Sequence, residues 1–228
     1  MNTVQPIKNI TQLHKMESLL KQKSERNYML LRLGCYSGLR ISDIIKLKVK
    51  DLRNKDYFIL QENKTGKPKK LLIQPELKKE INHYIKNMDD EDYIIPSQKY
   101  NNTIEIKNPN KQYKANNEDR YITIPNTSSN SPIQRMQAYR IINQAARKVG
   151  IKDDIGTHSM RKTFGYHFYM KNKDKANFDP ISILQIIFNH SSRNTTLRYI
   201  GIMQENIDDM MREFVMWYIN IVYIIYIY

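Results

Sequence analysis

Between residues 11 and 33 the apolar side chains Leu13, Met16, Leu19, Leu20, Met29, Leu30 and Leu33 recur at spacings close to three and four, the period of one face of an α-helix. That spacing predicts two amphipathic helices parted near Ser24. Gly38 then ends the second helix, and Ser42 and Asp43 are N-cap types ahead of Ile44, Ile45 and Leu47, so Arg40 falls in a tight turn between helices with its side chain turned out of the core. A chain of 228 residues that is 40% apolar has core enough for one domain, or one domain with a small appendage.

Further along, the pattern changes period. Short runs rich in Ile, Leu, Tyr and Phe (57–61 and 71–74) flank the loop 62–70, ENKTGKPKK, which reads as a β-hairpin with a strongly basic tip. A helix near 76–87 and a small strand at 93–95 are expected next. Residues 97–131 are polar and Asn-rich and read as a surface insertion, in which 103–106 and 121–124 can pair as a second hairpin. Ser131 and Pro132 look like a cap followed by proline in the first helical turn, opening a helix to about Val149 that Gly150 stops. Asp179 and Pro180 repeat the device before 181–188. The sum is a mainly α fold with a small antiparallel β-sheet, an α+β class.

Composition narrows the partners. No apolar run reaches the 18 residues of a membrane-spanning helix, and seven glycines and eight prolines exclude collagen-like or linker-like chains. The single cysteine, Cys35, allows neither an internal disulfide nor a cysteine-based zinc site. The N-terminus lacks the apolar run of a signal peptide, which sets the expectation of a cytoplasmic, nucleoid-associated protein with no membrane partner. A formal charge of +14 from 37 Lys and Arg against 23 Asp and Glu is what a protein meeting phosphate backbones needs. Heavy use of Asn, Ile, Lys and Tyr also carries the imprint of AT-rich coding DNA, so part of the lysine excess has a second source.

Four of the seven glycines lie two positions from a polar candidate: Gly38 before Arg40, Gly66 after Lys64, Gly156 before His158 and Gly201 after Tyr199. Glycine lets backbone turn sharply or approach a ligand. In GTHSMR (156–161), His158 and Arg161 are three apart and share a face if helical, so both can reach one phosphate. In NHSSRNTTLRY (189–199), His190 stands at a helix exit and Tyr199 nine residues on. Taken singly, each has a structural reading: a helix stop, a hairpin turn, a capping histidine, one more half-buried tyrosine among 16.

In order and context, SGLRISD (37–43), KTGK (64–67), THSMR (157–161), and NHSS (189–192) followed by Thr195, Thr196 and Tyr199 resemble the motifs of the tyrosine recombinase (phage integrase) family, over about residues 10–203. The resemblance implies that family's catalytic-domain fold over residues 1–212, with 213–228 as an apolar tail exchanged between protomers. It implies a site-specific recombinase that cuts and rejoins double-stranded DNA through a 3′-phosphotyrosyl intermediate, for integration, excision or inversion of an element. A type IB topoisomerase-like enzyme and a DNA-binding accessory that has lost catalysis are the alternatives. By motif, Arg40 and Arg161 are the phosphate clamps, Lys64 the hairpin lysine, His158 and His190 the two histidines, and Tyr199 the nucleophile. Lys67, Lys69, Lys70, Arg193 and Arg198 are further DNA contacts. Expected partners are DNA, a tetrameric synapse of this chain, and accessory DNA-bending proteins. Two departures stand out: Phe188, Asn189 and His190 replace the usual Leu-Gly-His, and only some ten residues precede the first helix, as in a short form lacking the N-terminal core-binding domain.

The chemistry is consistent on physical grounds. Phosphoryl transfer asks for cations around the non-bridging oxygens, an activated nucleophile and a proton donor for the leaving oxygen. Two guanidiniums supply permanent, bidentate charge, so neither metal nor other cofactor is expected, and no Walker-type loop is present in the sequence.

Overall fold

Ser24 serves two helices at once. Its N–H donates to the Leu20 carbonyl at 2.8 Å, closing α1 (Ile10–Lys23), and its Oγ accepts from the Asn27 N–H at 3.4 Å, opening α2 (Glu25–Ser37). The computed structural model describes residues 4–61, 68–97, 103–107, 121–125, 131–203 and 207–212. Gly38 ends α2 in the left-handed region (φ 67°) and Arg40 is the N-cap of the short α3 (Ile41–Ile44). A strand pair follows, β1 (Tyr57–Gln61) antiparallel to β2 (Pro68–Leu72), with Ile59 opposite Lys70. Then come α4 (Pro75–Tyr84), the pair β3 (Thr103–Lys107) and β4 (Tyr121–Pro125), α5 (Arg135–Lys148), α6 (Thr157–Asn172), α7 (Pro180–Phe188) and α8 (Arg193–Ile200).

Mostly helical architecture with small antiparallel strand pairs is the expected class, but the strands form two separate two-stranded sheets. Several boundaries differ. β2 begins at Pro68, so Lys69 and Lys70 lie in a strand rather than in the loop, because the ladder continues toward the hairpin tip. Residues 93–95 form no strand: Tyr93 makes an isolated bridge with Lys48, and Pro96 with Pro132. That second bridge also moves the start of α5. Pro132 is held beside Pro96, and the helix begins three residues later, with Gln134 as N-cap. α4 stops at Tyr84 rather than 87. The second hairpin pairs where expected, each strand running one residue further, to Lys107 and Pro125, with Ile104 opposite Ile124. The polar stretch leaves and rejoins the body at one neck, where the Ser97 N–H donates to the Ser131 carbonyl (2.8 Å) and the Ile133 N–H to that of Ile95 (2.9 Å).

Two apolar clusters organise the body. The larger joins α1, α2, α4 and α5 with Phe58 of β1 and reaches Met160 of α6. The smaller gathers Phe164 of α6, Ile181, Leu184 and Phe188 of α7, and Ile200 and Ile202 at the end of α8. Helix α6 therefore links both. It packs closely because α2 and α6 each place a glycine at a contact: a Cβ at Gly34 would lie 2.5 Å from Met160 Sδ, and one at Gly165 would lie 2.6 Å from Ile200 and 2.9 Å from Phe188. Residues 5–7 are tied to α6 and to the loop before it, with Ile7 buried in the larger cluster. The Ile7 N–H donates to Thr163 Oγ1 (2.8 Å), the His167 Nε2 pairs with the Ile7 carbonyl (2.9 Å), and the Gln5 N–H donates to the Asp154 carbonyl (2.8 Å).

Candidate active site

Three segments far apart in sequence converge at the C-terminal end of α7. Asn189 caps that helix in the left-handed region (φ 53°, ψ 51°), a conformation that asparagine tolerates better than most residues with a Cβ. The chain turns away there, and the carbonyl of Phe188, at the negative end of the helix dipole, accepts two guanidinium hydrogen bonds. Arg161 Nη2 donates at 3.0 Å and Arg40 Nη2 at 3.2 Å. Arg161 Nη1 donates to the Gly38 carbonyl, on the turn that carries Arg40. Two like charges are thus held side by side by backbone oxygen, and an anion bound between them would relieve their repulsion.

Arg161 is 5% exposed, while Arg40 stands open to solvent. Burial, then Arg40 beside it, pull the Arg161 guanidinium down to about 10, against Tyr199 and Asp43; it remains charged at neutral pH. Its carbon lies 4.4 Å from the centre of the buried Phe188 ring, a cation–π contact. Tyr199, half-buried on α8, packs its ring against that of Phe188, over which Arg161 lies. Burial lifts its phenol above the ordinary value, and Arg161 and Arg40 pull it back. The ring sits edge-on to Phe188 (5.3 Å between centres) and His190 (5.0 Å).

The two histidines are both held below the usual imidazole range, first by burial and then by Arg161; Lys162, Arg135 and Arg40 add to this at His158, and Arg40 at His190. Both shifts favour the neutral, proton-accepting form of the ring. His190 Nδ1 lies 3.1 Å from Thr196 Oγ1, and that buried hydroxyl donates onward to the Ser192 carbonyl (3.4 Å). The network assigns the ring proton to Nδ1 and leaves Nε2 as the acceptor. His158 opens α6 behind a turn in which Ser159 Oγ accepts from the Gly156 N–H (3.1 Å).

Arg40, His158, Arg161, His190 and Tyr199 are thus coupled in one region. Lys64 and Lys67 lie outside the described residues, as does the tail 213–228, and of Lys69 only the backbone is described. Lys70 is exposed on β2 and Arg198 on α8. Arg193 is engaged elsewhere: it donates to Asp179 Oδ2 at 2.5 Å, tying the start of α8 to the N-cap of α7. Sequence reasoning passed over Lys162, whose Nζ stands 5.3 Å from the centre of the Tyr199 ring, and the Phe188 carbonyl, and it gave Thr196 a place in a motif but no role. The sequence carried no signal for the first, because 159–165 reads SMRKTFG and only the fold shows that run to be buried. Among the described residues no group of three or more His, Cys, Asp or Glu side chains is placed to hold a metal ion, and no helix is long and apolar enough to cross a membrane.

The chain is 40% identical over 205 residues to the probable integrase/recombinase YoeC of Bacillus subtilis (strain 168), a match covering 90% of this chain and 93% of that protein. Its fold is similar to the crystal structure of XerA recombinase, with a TM-score of 0.61 and 18% identity over 93% of this chain and 65% of that one. It is also similar to XerH site-specific recombinase bound to its difH substrate in a pre-cleavage complex, with a TM-score of 0.57 and 14% identity over 92% of this chain and 54% of that one. The chain spans between half and two thirds of the length of these two structures. Over residues 7–205 the sequence matches the phage integrase family, and the chain belongs to that family, the tyrosine recombinases.

Proposed function

We propose that this chain cuts and rejoins double-stranded DNA at specific sites, with Tyr199 as nucleophile. The Tyr199 oxygen attacks the scissile phosphorus, the bond from phosphorus to the 5′-oxygen breaks, and a 3′-phosphotyrosyl ester forms. The phenolic proton passes to neutral His158, and Lys64 delivers a proton to the departing 5′-oxygen. Arg40 and Arg161 clamp the non-bridging oxygens, with His190 beside them. Attack by the 5′-hydroxyl of another strand reverses these steps, so the ester conserves the bond energy and no nucleotide triphosphate is consumed.

The observation that carries this reading is Phe188, whose carbonyl receives both Arg161 and Arg40 and whose ring packs between the Arg161 guanidinium and the Tyr199 ring. A nucleophile and two anion-binding cations so placed serve one phosphate. In this reading residues 1–212 are the catalytic domain with its insertion at about 97–131, and 213–228 dock on a neighbouring protomer. Four copies assemble on DNA with accessory bending proteins, in the cytoplasm at the nucleoid. The net charge of +14 favours that partner, and Lys67, Lys69, Lys70 and Arg198 extend the contact.

A nicked suicide duplex carrying the element's own junction tests the reading. Wild type should form an SDS-resistant covalent complex equally well in EDTA. Arg40→Ala and Arg161→Ala should each slow its formation by about a hundredfold or more with DNA saturating, the scale of losing one oxyanion donor. Loss of the complex on chelation, or wild-type rates in either variant, would overturn it. Replacing the bridging 5′-oxygen by sulfur should restore most of the cleavage lost in Lys64→Ala, because a thiolate leaves without a proton, and should not restore Arg161→Ala. Rescue of both or neither removes Lys64 as the acid.

A further inference from the structure

Lys162 follows Arg161 on α6 and is only 8% exposed. A lysine is almost never so buried without an anion, because an uncompensated ammonium in protein costs several kcal/mol or shifts its own titration. Here burial does pull the Lys162 ammonium below its ordinary range. Its stem is buried, while its Nζ, which makes no hydrogen bond or ion pair to a described residue, is not sealed from solvent; what Nζ meets within the protein is the face of the Tyr199 ring, 5.3 Å from the centre. The other charged or titratable groups facing that ring are Arg161 from the same helix, Arg40 from the turn after α2, and His190 from the turn after α7. Lys162 in turn faces His158, one helical turn back.

These cations differ in what else they do. Arg161 and Arg40 divide their donors between backbone carbonyls and, in the reading above, a phosphate, whose two negative charges or one would offset the pull they exert on the phenol. The charge of Lys162 is committed to the ring. We propose that Lys162 is a positioning residue for strand cleavage: its ammonium, held over the face of the Tyr199 ring, orients the phenol and stabilises the negative charge that builds on it as its proton leaves. The inference rests on Tyr199 being the nucleophile.

The test compares wild type, Lys162→Met, Lys162→Arg and Tyr199→Phe in two measurements: thermal unfolding of the free protein, and the pH–rate profile of covalent complex formation on the suicide duplex with DNA saturating. Methionine matches the length of lysine and removes the charge. Lys162→Met should melt at the same temperature as wild type or higher, yet its profile should move about one unit toward alkaline pH, about tenfold slower at pH 7, converging on wild type where the lysine has itself lost its proton. Lys162→Arg keeps the charge and should stay within about threefold of wild type at pH 7. A Lys162→Met profile that superposes on wild type, or a variant that unfolds or melts far lower, overturns the inference, because the lysine would then be a neutral bystander or a structural support. Cleavage by Tyr199→Phe would instead overturn the nucleophile assignment, which keeps the two failures apart.

Discussion

At the scale of single residues, the spacing of the Arg40 and Arg161 guanidiniums is set by one backbone oxygen, the carbonyl of Phe188, and that oxygen is presented by the left-handed turn at Asn189. Asn189→Gly should leave the turn intact and cleavage near wild type. Asn189→Ala places an ordinary Cβ in the left-handed region at about 1 kcal/mol, so thermal unfolding should fall by about 2–4 °C and cleavage should fall with it. An alanine variant as stable and active as the glycine variant would show that the turn does not position the clamps. That Arg40, Arg161, His190 and Tyr199 come together was legible because their motifs stand in the order and context of the family they resemble. Lys162 and Thr196 were not, since their roles come from which face of α6 and α8 meets the other, and a single sequence does not state that contact. The Phe188 carbonyl was invisible for a simpler reason: every residue carries one.

At the scale of elements, α6 does the positioning, bringing Arg161 to the turn after α2 and receiving α8 across Gly165. Gly38 sits at this contact in a conformation that favours glycine (φ 67°), and a Cβ there would lie 2.6 Å from Phe164. Gly38→Ala should therefore combine backbone strain with overpacking, about 2–4 kcal/mol together, and should displace the carbonyl that holds Arg161. Its unfolding midpoint should fall by several degrees, and cleavage should fall further than the loss of folded protein explains; an unchanged midpoint would mean that the helices separate without cost. Element identities were readable where caps announce them, as at Ser24, Gly38, Asp179 and Asn189. The start of α5 was misread because Pro132 satisfies the local rule for a first helical turn while a tertiary bridge to Pro96 claims it. Lys69 and Lys70 were misplaced because the basic run reads as loop although its backbone pairs with β1.

At the scale of the whole molecule, Tyr199 and His190 rest on the smaller apolar cluster, while α2 belongs to the larger one. Amides of α8 should exchange with solvent faster than those of α2, and DNA binding should slow α8 most; uniform protection would contradict this division. The charge of +14 should make affinity fall steeply with salt through counterion release, and binding measured from 50 to 200 mM salt should show it, whereas a salt-independent affinity would remove the phosphate backbone as the main contact. Tyr199→Phe deletes one oxygen from such a surface and should bind the junction duplex as wild type does. The most direct measurement is the site of the covalent bond itself. Wild-type protein trapped on a suicide duplex, digested and sequenced by mass spectrometry, should carry the nucleotide adduct on Tyr199 and on no other of its 16 tyrosines, and Tyr199→Phe should yield no adduct while still binding DNA. An adduct on another residue, or an undiminished adduct in Tyr199→Phe, would contradict the account.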